Sequence, residues 1–307
     1  MIVVFGSLNA DLIFRVETPP APGQTLLARD FRMEAGGKGA NQAVAAARDG
    51  AEVTMVGAVG ADPLREVALA QLIAGGVDIA RVRNVELATG CASIVVDAEG
   101  RNQIAVALGA NARAAAAQVD AELLGRASHL LLQMESDPAE VVALLRRART
   151  AGVRTILNLA PAFRLKPSEL RLCDLLVVNE SEASAVAGWL ACGDDARALR
   201  DALGIDVLRT LGDRGSEAAT AAGDVFVPAL SVATVDTTAA GDCFVGVLAA
   251  ALDRGVPLMQ AMQRASIAAA LACTRPGSQA SLPESADIDA WAVATAAGSH
   301  SLQAVRR

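Results

Sequence analysis

A doubly wound, mainly parallel α/β sheet flanked by helices, with a small β-sheet lid, is the fold class that the sequence pattern predicts. Three observations lead there. Compact apolar runs recur between Ala-rich helical stretches along all 307 residues, two groups of short strand-like runs break that rhythm, and no linker rich in Pro, Gly or Ser divides the chain. A parallel strand covered by helices on both faces reads as a continuous apolar run. Strand–helix repetition then makes the sheet doubly wound. The chain, 1–307, is read as one α/β domain whose discontinuous lid comes from about residues 10–36 and 88–108.

Met1–Phe5 is apolar, lacks the basic flank of a targeting segment and is soon interrupted by Asp11, so it is read as the first strand. Leu12–Val16 and Leu26–Met33 flank the turn Pro19-Pro20-Ala21-Pro22-Gly23 and supply the first part of the lid. Helix Gly39–Asp49, strand Val53–Val59 and helix Asp62–Ala74 follow. Cys91–Val96 and Gln103–Leu108, around Asp97-Ala98-Glu99-Gly100, read as a hairpin completing the lid. The run Ala114–Ala117 reads as a helix start. His129–Gln133, Thr155–Leu159, Leu175–Val178 and Val207–Leu211 are read as buried strands, with helices at Pro138–Ala151 and Glu180–Ala187. Three helices close the chain: Gly241–Arg254, Pro257–Cys273 and Ser285–Ala297.

Composition narrows the chemistry. With only His129 and His300, the chain cannot build a three-histidine zinc site or an H-E-x-x-H helix. Acid–base work is therefore expected from carboxylates. A net charge of -7 and 3% aromatic residues argue against nucleic acid, which calls for basic surfaces and stacking platforms. Cys91, Cys173, Cys192, Cys243 and Cys273 are odd in number and never in a C-x-x-C pair, which suits a reducing, cytoplasmic setting. The longest apolar stretches, around Phe244–Leu252 and Ile267–Cys273, fall short of the roughly 18 residues of a membrane span.

Ligands of an open α/β sheet bind beyond the carboxyl ends of its strands, where loops enter helices. At Val235-Asp236-Thr237-Thr238-Ala239-Ala240-Gly241-Asp242, small residues before an apolar helix bring backbone N–H groups and the positive end of the macrodipole to one point. Asp242 sits in that anion hole either as a helix cap or as a base beside a phosphoryl acceptor. Ala35-Gly36-Gly37-Lys38-Gly39-Ala40-Asn41 is a second glycine-rich junction but not a P-loop, because Gly39 follows the lysine. At Asn179-Glu180-Ser181-Glu182, Glu182 either complements the helix dipole or holds a hydrated Mg²⁺ through water. Thr210-Leu211-Gly212-Asp213-Arg214-Gly215 would let a nucleotide lie against the backbone; no G-x-G-x-x-G follows any strand.

Gly36-Gly37-Lys38-Gly39-Ala40-Asn41-Gln42-Ala43 and Asp236-Thr237-Thr238-Ala239-Ala240-Gly241-Asp242 occur in the order and spacing of the PfkB carbohydrate kinase family, which the chain resembles from Gly6 to about Pro283. The resemblance implies an ATP-dependent sugar kinase acting on the 5-hydroxyl of D-ribose, with another sugar or a nucleoside as the alternative acceptor. A sugar sensor without catalysis is the third reading. It further implies that Asn9, Asp11, Gly37, Lys38, Gly39, Asn41 and Glu135 contact the sugar, that Asp242 is the base, and that Ala239, Ala240, Gly241 and Asp242 form the anion hole. Asn179, Thr210, Gly212, Gly215, Gly241 and Ser266 match the ATP site, and Glu182 matches Mg²⁺ placement. Asp236, Thr238, Ala272, Arg275, Gly277 and Ser281 match a K⁺ site, with Pro276 as a departure inside it. Cys243, after the base, is read as a packing residue. A homodimer formed through the lid is also implied.

Overall fold

The structure, a computed structural model, describes residues 1–99 and 101–296. Its strands are β1 (Ile2–Phe5), β2 (Asn9–Arg15), β3 (Asp30–Gly36), β4 (Val53–Gly60), β5 (Asp78–Val85), β6 (Gly90–Val96) and β7 (Asn102–Ala107), then β8 (His129–Leu132), β9 (Arg154–Asn158), β10 (Leu175–Asn179), β11 (Asp206–Thr210), β12 (Ser216–Thr220) and β13 (Gly223–Val227). The α-helices are α1 (Lys38–Arg48), α2 (Leu64–Ala74), α3 (Ala121–Arg126), α4 (Pro138–Ala151), α5 (Pro167–Leu170), α6 (Glu180–Leu190), α7 (Ala196–Leu203), α8 (Ala240–Asp253), α9 (Leu258–Cys273) and α10 (Ser285–Ala296).

Nine strands form one sheet in the order β13-β12-β11-β10-β9-β8-β1-β4-β5. From β11 to β5 every neighbouring pair is parallel, and only the pairs β11–β12 and β12–β13, at one edge, are antiparallel. Alternation along each strand feeds two cores. Ile2, Val4, Leu131 and Leu208 pack on one face, with α1, α8 and α9, while Val3, Phe5, Leu130 and Leu132 pack on the other, with α4 and α6. The six buried strands expected from apolar runs are all present. The second sheet, β3-β2-β6-β7, is assembled from the two segments that broke the rhythm, with β2 and β6 parallel at its centre.

Several expectations shift. The first lid hairpin pairs from Arg15↔Asp30 to Asn9↔Gly36, so Leu26 to Arg29 is loop and Leu27 stands 95% exposed. Ala114–Ala117 does not start an α-helix: Ala114 and Ala115 are extended, Ala116–Gln118 is a single 3₁₀ turn, and α3 waits for the Asp120 cap, whose carboxylate accepts the Leu123 N–H. β5, β12 and β13 are additions. Gly100 of the expected hairpin turn, Ala297 at the expected end of the last helix, and His300 lie outside the described residues. Among the described residues no helix is long and apolar enough to cross a membrane.

Candidate active site

Parallel strands place their carboxyl ends together, and the polar residues of the chain's signatures gather there. Asp242, in the first turn of α8, is 8% exposed. Its Oδ2 accepts the Asn41 Nδ2 amide at 2.9 Å, and its Oδ1 accepts Gln42 Nε2 at 2.9 Å. The helices meet so closely because Gly246, one turn on from Asp242, lacks a side chain: a Cβ there would lie 2.4 Å from the Gln42 carbonyl oxygen. Asp242 does not cap its own helix, since α8 has no side-chain cap. Its carboxylate is turned across to α1 instead.

Ala239 enters α8 in the left-handed conformation at φ 59°. Among the described residues, the N–H groups of Ala239, Gly241 and Asp242 have no acceptor, whereas that of Ala240 is donated to the Thr237 carbonyl at 3.2 Å. The expected anion hole therefore keeps three free donors rather than four. They open on a cavity of about 140 Å³ that Lys38, Asn179, Glu182, Thr210 and Asp242 also line. The Asp242 carboxylate, helped by Glu135 and Glu182, raises the Lys38 ammonium above its usual range although burial opposes it. Gly212 and Gly215 sit in the turn beyond Thr210, and Ser266 is buried in α9; none of the three lines this cavity.

On the lid side, Asp11 and Asn9 project from β2. Asn111, a residue no motif singled out, donates its Nδ2 to Asn9 Oδ1 at 2.8 Å while its own Oδ1 accepts the Leu8 N–H at 2.9 Å. That pairing leaves the Asn9 amide nitrogen as the free end, a donor for a hydroxyl. Glu135 Oε2 accepts Ser7 Oγ at 2.6 Å and the Lys38 N–H at 3.1 Å. Burial, with like charge from Glu135, Glu34 and Asp242, pushes Asp11 up to about 7, against the pull of Lys38. Gly37 takes a positive φ of 90° at the start of α1. Gly39 packs against the Gly6–Ser7 segment that follows β1, where a Cβ would meet the Ser7 nitrogen at 2.6 Å.

Asn179 and Glu182 form a reciprocal capping box on α6. Asn179 Oδ1 accepts the Glu182 N–H at 2.9 Å, and Glu182 Oε2 accepts the Asn179 N–H at 2.8 Å. The dipole reading of Glu182 therefore holds, yet its second oxygen has no partner among the described residues and the side chain lines the cavity. Burial raises its proton affinity, with Asn179 and Lys38 pulling the other way. Such an oxygen fits a water-mediated contact to Mg²⁺.

The residues matched to K⁺ also converge in part. Asp236 Oδ1 accepts Thr238 Oγ1 at 2.6 Å, and its Oδ2 accepts the Gly277 N–H at 3.0 Å. These hydrogen bonds hold the carboxyl below its usual range although burial works against them. Ala272 and Ser281 are fully buried nearby in sequence, with the Arg275 N–H on the Ala272 carbonyl at 3.2 Å. The Arg275 side chain instead pairs with Asp287. A carboxylate anchored by Thr238 and Gly277 is the kind of hard-oxygen donor that a monovalent cation takes. Among the described residues no cluster of three or more His, Cys, Asp or Glu side chains could hold a metal. His129 lies at the amino end of β8, far from these groups, where burial lowers its proton affinity. Cys243 is fully buried, as its packing role requires.

The family model for pfkB family carbohydrate kinases matches residues 1–285. The chain belongs to that family. The kinase is 38% identical over 293 residues to the bifunctional ribokinase/ribose-5-phosphate isomerase A of Fructilactobacillus sanfranciscensis, with 92% of this chain covered, and spans about half, 54%, of that protein's length. It is 34% identical to the ribokinase of Haemophilus influenzae (92% of this chain, 95% of that one) and 35% identical to the deoxyribokinase of Salmonella typhi (92% and 95%). Among solved structures it matches ribokinase from Thermotoga maritima with a TM-score of 0.88 at 31% identity, covering 95% of this chain and 99% of the other. It matches Arabidopsis thaliana ribokinase complexed with ribose and ATP with a TM-score of 0.85 at 28% identity, covering 94% and 97%. The kinase is thus a phosphotransferase acting on a sugar hydroxyl, on a ribokinase fold.

Proposed function

We propose that this kinase transfers the γ-phosphoryl group of ATP to the 5-hydroxyl of D-ribose, giving ribose 5-phosphate, with Asp242 as general base. The observation that carries this reading is the placement of a buried carboxylate beside free N–H donors at the amino end of α8, next to a cluster of polyol-reading side chains. Asn9 and Lys38 offer donors and Asp11 and Glu135 acceptors, as hydroxyls that both donate and accept require. Asp242 keeps lone pairs for the proton of the attacking hydroxyl, since among the described residues each of its oxygens accepts only one amide. The N–H groups of Ala239, Gly241 and Asp242 stabilise charge on the transferring oxygens, the main task in phosphoryl transfer. Asn179 and Thr210 border the nucleotide's phosphates.

Glu182 would hold Mg²⁺ through water, and Asp236, with the carbonyls of the 272–281 segment, would hold K⁺. Bound there, the ions would neutralise phosphate charge and steady the loop before α8. A nucleoside acceptor is less well served: Phe14, the ring best placed to stack a base, already packs on Phe31 with centroids 4.9 Å apart. Five free cysteines suit a cytoplasmic enzyme. Phe31, Met33, Ile104 and Val106, about half exposed on the small sheet, suit a homodimer formed through that lid, which a solution mass would test.

The deciding experiment compares kcat/KM for ribose, deoxyribose, other pentoses, hexoses and nucleosides. Ribose is expected to lead; a nucleoside or deoxyribose in first place would overturn the acceptor. Asp242→Asn is expected to lower kcat on the order of 10²–10⁴-fold.

A further inference from the structure

Gln133 and Gln279 lie outside both signature segments, 0% and 1% exposed, at the two ends of a chain of side-chain amides that runs through Asp242. On one side, Gln279 Nε2 donates to Asn41 Oδ1 at 3.0 Å, and Asn41 Nδ2 donates to Asp242 Oδ2 at 2.9 Å. On the other, Gln133 Nε2 donates to Gln42 Oε1 at 2.6 Å. Gln42 Nε2 then spends its two hydrogens on Asp242 Oδ1 and Asn158 Oδ1, both at 2.9 Å.

An amide has a donor end and an acceptor end, so a chain of amides has a direction. Both arms here run inward and deliver N–H to the carboxylate. The outermost oxygens, Gln133 Oε1 and Gln279 Oε1, are buried without any hydrogen-bond partner among the described residues. An unpaired buried acceptor is unfavourable, and native interiors seldom leave one. The orphans at both ends follow from a carboxylate at the centre that accepts only. Turning either glutamine around would aim an oxygen at the oxygen of the next amide, and that amide would then present its own oxygen to Asp242.

We infer that Gln133 and Gln279 are positioning residues for phosphoryl transfer, each fixing the orientation of one amide so that Asn41 and Gln42 clamp both oxygens of Asp242 with N–H groups. The inference rests on Asp242 being the base. Gln279 has a further anchor at the lid strand: its neighbour Ser278 donates Oγ to the Ala35 carbonyl at 2.6 Å. The clamp therefore joins α1, α8, the carboxyl end of β8 and the loop after α9 at one carboxylate.

Gln279→Met and Gln133→Met remove the donors at nearly constant volume. Each is expected to lower kcat roughly tenfold or more, with the KM for ATP within about twofold. Introduced into Asp242→Asn, the same substitutions are expected to cause no further loss, because residues acting as a unit are non-additive. Gln279→Glu, which keeps the shape but supplies only acceptors, is expected to lose as much as Gln279→Met, and it stands in for the methionine variant should that fail to fold. Wild-type kcat in these glutamine variants, or equal fractional losses with and without Asp242, would overturn the clamp while leaving the base in place. Wild-type turnover by Asp242→Asn itself would remove the base and the clamp together, a distinct result.

Discussion

The Asp11 carboxylate lies over the α-carbon of Gly36, so near that a Cβ on Gly36 would stand 2.1 Å from an Asp11 oxygen. The two residues belong to neighbouring strands of the small sheet, where Asn9 pairs with Gly36 and Asp11 with Glu34. With no side chain at Gly36, the carboxyl can lie across the neighbouring strand. Gly36→Ala should expel the side chain, because three Asp11 atoms lie inside contact distance. Steady-state kinetics are expected to show a KM for ribose raised at least about tenfold with the KM for ATP unchanged, the pattern of lost substrate binding. An unchanged ribose KM would mean that Asp11 does not read the sugar.

Asp11 also gives the protein a pH-dependent stability of definite sign. Its folded-state value of about 7 lies above the ordinary 3.8, so between those values the folded chain holds a proton that the unfolded chain has lost. Stability must then fall as pH rises across that window and level off above it. Asp11→Asn removes the titration. The variant is expected to melt at a higher temperature than the parent at pH 8, with the gap closing toward pH 4. A gap that grows on acidification would contradict the assignment.

Glu182 carries two tasks that substitution can separate. Glu182→Gln keeps an oxygen for the Asn179 N–H, so the capping box of α6 and the melting temperature should survive. Only the charge is lost. A higher Mg²⁺ concentration for half-maximal activity, by roughly fivefold or more, is expected, since a hydrated ion is held by carboxylate charge. Glu182→Ala loses the cap as well and should melt lower by a margin worth about 1 kcal/mol. Equal Mg²⁺ requirements in parent and Gln variant would reduce Glu182 to a helix cap.

Which parts of this molecule were legible beforehand follows from how each is built. β1, β4 and β8 to β11 are covered on both faces and read as apolar runs. β5 lies at the sheet edge, where Asp78–Val85 mixes charged and apolar residues, and β12 and β13 close the other edge with the short sequences Ser-Glu-Ala-Ala-Thr and Gly-Asp-Val-Phe-Val. Edges carry no continuous apolar signal. The same division holds in the site. Asp242, Lys38 and Asn41 sit in glycine-rich segments whose spacing is informative, whereas Asn111, Gln133 and Gln279 are single polar residues that only folding brings to Asn9, Gln42 and Asn41. Their one advance signal was polarity beside a buried run, as where Gln133 follows the apolar His129–Leu132.

The turn before α8 supplies the last test. Ala239 holds φ 59° and ψ 10°, a conformation that costs an L-residue roughly 1–2 kcal/mol and that β-branched side chains tolerate worst. That turn leads into Gly241 and Asp242, which line the cavity and whose N–H groups have no acceptor among the described residues. Ala239→Gly removes the steric strain but adds freedom to the unfolded chain, and the two effects nearly offset, so melting temperature and turnover should stay close to the parent's. Ala239→Val has no such escape. The turn must open, swinging the donors away from the transferring oxygens, and kcat is expected to fall on the order of 10²-fold, the usual worth of one such donor. The ribose KM should barely move, because Asn9, Asp11 and Glu135 lie on other elements. Parent-like turnover by Ala239→Val would show that charge on the transferring oxygens is met somewhere other than this turn.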